Sequence, residues 1–268
     1  MKGEEVIQII ETSKESIEFL PTGFARIDEF LDGGFMKKEL IVLGGFTGWG
    51  KSYIATSIFY HLATQGVRVA YFSLELSSEV IVARIIGASA NIKPTRIISG
   101  RLLPEEYEEK IKAKAKFLVF DSFMEFYDQL YRLEVIEEKI RANNFEFIVV
   151  DFIQNVIARG EEYERLSFIA LELQRIAKEN NCCILILSQL SNEAAKRGYV
   201  EYKGSGGIAT VCDLGFFMKR NNESMAGDLV NTQFDDRFEL TIKKNRRGSS
   251  GVTFQMKFKK PGGDIKCE

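Results

Sequence analysis

Short apolar runs alternate with amphipathic stretches along most of the chain. Five of these runs predict buried strands, at residues 40–43, 68–72, 117–120, 147–150 and 183–187. Strands that are apolar on both faces are typical of parallel sheets covered by helices, because neither face meets water. In sheets of this kind, the binding loops lie at the carboxyl ends of the strands.

A different pattern begins near the last third of the chain. Residues 214–218, 237–242 and 252–258 again resemble strands, but no convincing helix separates them, which indicates antiparallel pairing. We therefore predict an α/β fold with a mostly parallel central sheet, helices on both faces, and antiparallel strands added at the C-terminal end. This domain is expected to span residues 21–268, with residues 1–20 forming an N-terminal linker helix.

The N-terminal segment, residues 4–19, has an amphipathic pattern. Val6, Ile9, Ile10 and Ile17 lie on roughly one helical face, between glutamates and lysines, and a proline ends the helix. The segment either folds back onto its own domain or packs on a neighbouring subunit. Its spacing alone favours neither arrangement.

Composition agrees with one large globular domain. The chain has 268 residues, of which 45% are hydrophobic and 28% are charged, so a core can form without disulfides or a structural metal. The cysteines show no ligand spacing and are expected to be reduced thiols, at Cys182, Cys183, Cys212 and Cys267. The first two open an apolar run and are interpreted as small buried side chains.

The hydrophobic pattern and the net charge bear on two classes of partner, membranes and nucleic acids. No apolar stretch approaches the roughly 18 residues of a membrane span, so we expect no membrane contact and a cytoplasmic location. A formal net charge of −2 argues against a surface that binds nucleic acid everywhere. A local basic channel remains compatible with this charge, because only the contacting face needs positive potential.

A phosphate-binding motif follows the first apolar run. Gly45-x-x-x-x-Gly50-Lys51-Ser52 lies where a strand turns into a helix, which is the context that a P-loop requires. Backbone N–H groups would converge on the β-phosphate, Lys51 would reach the β- and γ-phosphates, and Ser52 would ligate Mg²⁺. The residues expected to hold ATP are Gly45, Thr47, Gly48, Trp49, Gly50, Lys51, Ser52 and Tyr53.

Polar residues end three other strand-like runs and would lie beside this loop. Asp151 ends one run and is predicted to direct Mg²⁺, although a turn residue that caps a strand would look the same. Glu75 ends another and is assigned as the general base; alternatively it stabilises the start of the next helix. Gln189 ends the third, where its amide could sense the γ-phosphate. These assignments indicate a RecA-like P-loop NTPase core.

Several segments, taken in order, resemble the C-terminal motor domain of DnaB-type replicative helicases. The resemblance runs from about residue 22 to residue 258, and the order and spacing of the motifs are more specific than any one of them. The matching segments are Thr22-Gly23, Asp32-Gly33-Gly34, the P-loop, Phe72-Ser73-Leu74-Glu75, Val150-Asp151-Phe152-Ile153-Gln154, Leu187-Ser188-Gln189-Leu190, Gly204-Ser205-Gly206-Gly207-Ile208 with Asp213, and Lys244-Asn245-Arg246-Arg247-Gly248.

The resemblance implies a catalytic site shared between subunits. By it, Glu75 is the catalytic base, Asp151 directs Mg²⁺, Gln189 couples the nucleotide state to DNA, and Lys244 with Arg246 reaches the neighbouring subunit's γ-phosphate. The function implied is an ATP-driven hexameric ring that translocates on single-stranded DNA, 5′ to 3′, and unwinds duplex in a bacterium or a phage-infected host. Without the resemblance, the basic cluster at residues 243–247 would be interpreted as a solvated hairpin loop.

In this family, DNA contacts come from loops that face a central channel. The matching segments here are residues 155–164 and 196–207, and mobile surface loops are the alternative interpretation. Backbone N–H groups and basic side chains there would track phosphates without reading sequence. The residues expected to bind DNA are Arg159, Arg197, Lys203, Gly204, Ser205 and Gly206.

Two further inferences concern the N-terminal domain of the family and the alternative functions that the sequence allows. The family carries an N-terminal domain that binds primase, and the roughly 20 residues before the motor cannot contain such a domain. The sequence is therefore compatible with a phage-type helicase without that domain or with the motor-domain portion of a longer protein. Primase and a helicase loader are therefore candidate partners only. The competing functions are a RecA-like filament or strand-exchange protein and a KaiC-like signalling ATPase.

Trp49 gives a direct optical test of the P-loop assignment. It is the only tryptophan and directly precedes Gly50, so saturating Mg-ATP is expected to change the intrinsic fluorescence of the protein. Fluorescence that stays constant through a Mg-ATP titration would count against the predicted loop geometry.

Overall fold

The structure is a computed structural model. It describes Gly3 and residues 19–129, 131–189, 206–220 and 236–268. The predicted N-terminal helix lies almost entirely outside the described residues, so its existence and its packing remain predictions.

Eleven strands form two sheets in the described part of the chain. In order they are β1 (Phe19–Leu20), β2 (Phe35–Met36), β3 (Leu40–Gly45), β4 (Val69–Ser73), β5 (Met124–Tyr127), β6 (Phe147–Asp151), β7 (Cys183–Gln189), β8 (Leu214–Arg220), β9 (Arg237–Asn245), β10 (Thr253–Lys259) and β11 (Asp264–Cys267). The first two pair with each other, and the other nine form one sheet in the order β11-β10-β9-β8-β3-β7-β6-β4-β5.

The central sheet is parallel from β8 to β5 and antiparallel from β8 to β11. This confirms the predicted α/β fold with antiparallel strands at the C-terminal end. The carboxyl ends of β3, β4, β6 and β7 share one edge of the sheet, here called the C-terminal edge. The beginnings of the same strands define the opposite, N-terminal edge.

Eight α-helices lie within the described residues. They are α1 (Ala25–Phe30), α2 (Lys51–Thr64), α3 (Ser78–Ala90), α4 (Pro94–Ser99), α5 (Glu106–Val119), α6 (Leu133–Asn143), α7 (Glu162–Glu179) and α8 (Gly206–Val211). None of these helices is both long enough and apolar enough to cross a membrane.

The sheet separates two hydrophobic cores. Alternate residues of β3 show this division: Ile41 and Leu43 pack with α1, α2, α3 and α5 on one face, and Leu40 and Val42 pack with α6, α7 and α8 on the other. Because successive side chains of a strand point to opposite faces, a continuous apolar run fills both cores.

One predicted strand is wrong. Residues 117–120 end helix α5 and the turn after it, and the edge strand is β5, which starts at Met124. Ala113 and Phe117, four residues apart, are buried, whereas Leu118 and Val119 are more than half exposed. The apolar run thus belongs to an amphipathic helix with one buried face, a case that a short run cannot distinguish from a strand.

The cysteines match their sequence interpretation. All four are free, and Cys182, Cys183 and Cys212 are buried within or beside the sheet. Burial raises the pKa of Cys182 to about 12 and that of Cys212 to about 11, so these thiols stay protonated near neutral pH.

Candidate nucleotide site

The P-loop connects β3 to α2 at the C-terminal edge of the sheet. Gly50 caps the helix with φ = 106°, in the left-handed region that favours glycine. A Cβ at this position would also lie 2.5 Å from the Phe258 ring, on β10. Conformation and space therefore both require the second glycine of the motif.

Lys51 is buried in the first turn of α2. Its Nζ donates hydrogen bonds to the carbonyl oxygens of Gly45, at 2.7 Å, and Phe46, at 3.0 Å. Burial lowers the pKa of Lys51 to about 8, against the opposing charges of Asp151 and Glu75. The ammonium group thus lies inside the loop and close to two carboxylates.

The remaining predicted nucleotide ligands follow one another along the loop. Thr47 and Gly48 are exposed at its tip, and Trp49 is half-buried, with its ring 4.7 Å from the Phe46 ring in an edge-to-face contact. Tyr53 lies in the first turn of α2, against the Phe258 ring. The exposed tip leaves backbone N–H groups accessible to a phosphate.

Asp151 is the last residue of β6 and lies next to the P-loop. Parallel pairing aligns it with Ser73 of β4, and its carboxylate is almost completely buried. Burial raises the pKa of Asp151, and the Ser52 and Tyr71 hydroxyls beside it act in the opposite direction. Tyr71 Oη donates a 2.8 Å hydrogen bond to Oδ2.

The donor set at Asp151 fits a magnesium ion. Its second oxygen, Oδ1, is buried and accepts no hydrogen bond from the described residues. Such an orphaned carboxylate oxygen, together with the Ser52 hydroxyl, supplies the hard oxygen ligands that Mg²⁺ prefers. Ser52 and Asp151 are thus the residues that would hold the metal.

Glu75 and Gln189 complete the C-terminal edge. Glu75 comes two residues after β4, is exposed, and contributes a charge felt by Lys51. Gln189 ends β7 and pairs in register with Gly45 of the P-loop strand. The structure therefore brings together the P-loop, Asp151, Glu75 and Gln189, although whole helices separate each of the last three from the phosphate loop in the sequence.

Three residues that support the site at this edge were not predicted from the sequence. Tyr71 holds Asp151, and Gln154 Nε2 donates a 3.0 Å hydrogen bond to the Ser188 hydroxyl, next to Gln189. Arg84 stacks 4.5 Å from the Tyr53 ring, and its charge acts to lower the pKa of Asp151. A tyrosine within a fully apolar strand was the one available signal, because a buried hydroxyl needs a partner.

Lys244 and Arg246 lie at the opposite edge of the sheet. β9 runs antiparallel to β8, so Asn245 pairs with Leu214, whose other neighbour is Ile41 near the start of β3. The P-loop begins four residues later on β3, about 13 Å along the strand at the usual rise. This pair therefore lies away from the phosphate loop of its own chain.

Both cations contact the end of α8. Lys244 Nζ donates to the carbonyl oxygens of Ala209, at 2.8 Å, and Thr210, at 2.6 Å. Arg246 donates to Thr210 O, at 3.1 Å, and forms a 3.0 Å ion pair with Asp213.

The predicted DNA contacts are only partly described. Arg159 is exposed in the loop between the 3₁₀ turn Ile153–Asn155 and α7, at the C-terminal edge. Gly206 is the first residue of α8. The predicted contacts at Arg197, Lys203, Gly204 and Ser205 lie outside the described residues.

Comparison with solved structures supports the fold. One solved ATPase domain superposes with a TM-score of 0.82 at 20% identity, covering 98% of this chain and 96% of its own. A DnaB-like replicative helicase, solved to show its interactions with primase, gives 0.82 at 20% identity over 99% of this chain and 67% of its own. A KaiC-like protein from Pyrococcus horikoshii gives 0.64 at 16% identity over 94% of this chain and 99% of its own. The RecA-like fold is thereby confirmed.

Sequence relatives narrow the assignment. The replicative DNA helicase DnaB of Geobacillus stearothermophilus is 27% identical over 94% of this chain and 57% of its own length. The replicative DNA helicase DnaC of Bacillus subtilis is 27% identical over 92% of this chain and 56% of its own. The chain thus spans little more than half the length of these relatives. The family model for the DnaB-like helicase C-terminal domain matches residues 20–263, and the chain therefore belongs to that family.

Proposed function

We propose that this chain is an ATP-hydrolysing motor that moves along single-stranded DNA and separates duplex DNA as a ring of subunits. The observation that supports this best is the placement of two half-sites on opposite edges of one sheet. The P-loop, Asp151 and Glu75 lie at one edge, and Lys244 with Arg246 at the other. Copies joined head to tail would complete a site at each interface, and such contacts close into a ring when the rotation between neighbouring copies closes.

ATP binding would begin with an exchange of partners at Lys51. Its ammonium group now donates to two neutral carbonyl oxygens, whereas phosphate oxygens offer stronger, charge-assisted hydrogen bonds. Exposed N–H groups at Thr47 and Gly48 would bind the β-phosphate with the positive end of α2. Ser52 and Asp151 would hold Mg²⁺, which would supply positive charge to neutralise the phosphates.

Hydrolysis would use the carboxylate that remains accessible. Asp151 is buried and engaged by Tyr71, whereas Glu75 is exposed beside Lys51, where a water molecule could lie between it and the γ-phosphate. Glu75 would accept the proton of that water. The neighbouring subunit's pair would stabilise the negative charge on the transferred phosphoryl group from the other side.

DNA would be contacted by loops that follow the strand ends at the C-terminal edge of the sheet. Arg159 lies in a loop after β6, and residues 196–207 follow β7, which ends at Gln189 beside the P-loop. Loops that leave adjacent strands next to a nucleotide can respond to its phosphates. Basic and glycine-rich loops would grip the DNA backbone without reading its sequence.

Ring formation would also use the N-terminal segment. Tyr107, Ile111 and Leu118 form a stripe on α5 and are 52%, 66% and 54% exposed. Large apolar side chains in one exposed stripe mark a contact surface. The proposed occupant is the amphipathic segment at residues 4–18 of a neighbouring copy, whose four aliphatic residues would cover the stripe.

The motor function predicts ATP hydrolysis that single-stranded DNA stimulates. Oligo-dT is expected to raise the rate of ATP hydrolysis, and the Lys51→Ala substitution is expected to abolish hydrolysis. Arg246→Ala is expected to lower turnover by about 10³-fold or more while nucleotide affinity stays near wild type. Mixing the two inactive variants one to one should restore activity at about a quarter of the interfaces, those with an intact loop and an intact pair.

Steady-state ATPase assays with bound-nucleotide measurements check these outcomes, and negative-stain images establish that rings are present. Rings without any stimulation by oligo-dT would contradict the motor. Filaments in place of rings would favour a recombination protein, and an ATPase that ignores DNA would favour a signalling role.

The pKa of Lys51 predicts how nucleotide affinity depends on pH. In the free site the pKa of Lys51 is about 8, and the phosphates of bound ATP would raise this pKa. ATP binding would therefore be coupled to the uptake of a proton by Lys51 above pH 8. ATP affinity is therefore expected to be constant below this pH and to fall as the pH rises through it, by up to about tenfold per unit. Titrations between pH 7 and 9.5 measure this, where the phosphates keep their charge.

Lys51→Arg is the matched control, because a guanidinium stays charged throughout that range. Its affinity should show no comparable fall. Equal slopes for the wild type and this variant would exclude Lys51 as the titrating group.

The exposed stripe predicts a variant that assembles poorly but folds normally. Ile111→Glu places a charge where an apolar contact is proposed, so rings should be lost at concentrations where the wild type forms them. Stability of the subunit should change by less than about 0.5 kcal/mol, since the side chain is exposed. Light scattering after size exclusion, with thermal melts, measures both quantities.

Lys112→Gln is the control, because it also changes the net charge by −1 on the same helix but away from the stripe. Rings that persist in Ile111→Glu would show that this surface is not the docking site.

A further inference from the structure

A polar junction at the N-terminal edge joins four elements through one carboxylate. Asp213, between α8 and β8, has a side chain that is only 13% exposed. Its Oδ2 accepts a 2.9 Å hydrogen bond from the Leu40 backbone N–H at the start of β3. Gln174 of α7 donates to both carboxylate oxygens, at 3.2 Å, and Arg246 at the end of β9 donates to Oδ1.

The last turn of α8 belongs to the same junction. Its carbonyl oxygens carry the negative end of the helix dipole and have no partners within the helix. Lys244 and Arg246 both donate to them, and Gln174 Nε2 donates a 2.8 Å hydrogen bond to Val211 O. Consequently the end of α8 is attached to the two cations, which lie within and directly after strand β9.

These contacts leave Arg246 able to bind a second anion. One donor on each terminal nitrogen is used, for Asp213 Oδ1 and Thr210 O, and the side chain is 47% exposed. The guanidinium has five N–H donors in a rigid plane, so contacts on one side fix the direction of the others. An ion pair with a half-exposed guanidinium contributes little stability. Orientation is thus the main effect of the pair.

We propose that Asp213 is a positioning residue for the trans-acting pair, and that it fixes Arg246 and the end of α8 in one arrangement. This inference rests on the proposed function. Gly206, the first residue of α8, directly follows Gly204 and Ser205, which are expected to contact DNA, and the helix is only about 9 Å long. A displacement at its first residue would therefore be carried to Lys244 and Arg246, which contact its last turn.

The test uses Asp213→Asn in the full chain. The amide has nearly the same shape and still accepts a hydrogen bond from Leu40 N–H, but it loses the charge that holds Arg246. Ring assembly and ATP affinity should match the wild type, while DNA-stimulated kcat should fall about 10- to 100-fold, as expected when a catalytic group is misplaced. Glu137→Gln, which removes another carboxylate bound by arginines on α6 and α7, is the matched control and should keep full turnover.

A mixed-ring experiment separates positioning in trans from a local defect. Lys51→Ala subunits would supply an intact pair to Arg246→Ala subunits and are expected to restore activity. Adding Asp213→Asn to the Lys51→Ala subunits should reduce this rescue by the same 10- to 100-fold, although those subunits hydrolyse nothing themselves. A merely structural role would leave the neighbouring subunit's turnover unchanged.

The outcomes distinguish the inference from the function on which it rests. Full rescue by the double variant overturns the positioning role of Asp213 while the shared site stands. Wild-type turnover in Arg246→Ala alone overturns the shared site itself. If Asp213→Asn lowers the melting temperature enough to prevent assembly, Asp213→Glu, which keeps the charge but displaces the guanidinium by one methylene, is compared in the same assay, with the same two readings.

Discussion

Parallel pairing among β3, β7, β6 and β4 is the constraint on which the rest of the molecule depends. In-register ladders align Gly45 with Gln189 and Asp151 with Ser73, so polar groups from distant parts of the chain end at one edge. Apolar residues fill most positions of the strands before that edge, and the buried Tyr71 within β4 hydrogen-bonds Asp151. Burial then sets the chemistry of the polar groups, since it lowers the pKa of Lys51 and raises that of Asp151.

Much of this edge could be predicted from the sequence because each element carries a local signal. The P-loop has fixed glycines, and Asp151 and Gln189 follow apolar runs that only a buried strand explains. The antiparallel extension was also predictable, from strands without intervening helices. Residues 117–120 were not, because four apolar residues fit the end of an amphipathic helix as well as a strand.

Contacts across the sheet could not be predicted from the sequence, for a different reason. Tyr71, Gln154 and Arg84 support the site through partners 34 to 80 positions away, or through a ring on another helix, and only the tyrosine, placed within an apolar strand, carries a local signal. The position of Lys244 and Arg246 relative to the P-loop depended on strand direction. Only the observed β8–β9 register shows that they occupy the opposite edge.

The contact between β10 and the P-loop has a consequence for how the domain can vary. Gly50 has no room for a Cβ because the Phe258 ring fills that space, and Gly263 is equally close to the Tyr53 ring. The antiparallel strands therefore form a wall of the nucleotide site rather than an appendage to the sheet. A shorter domain that kept every P-loop residue but ended before β10 would lose the Phe258 ring against which Gly50 packs, so substitutions at Gly50 and at Phe258 constrain each other.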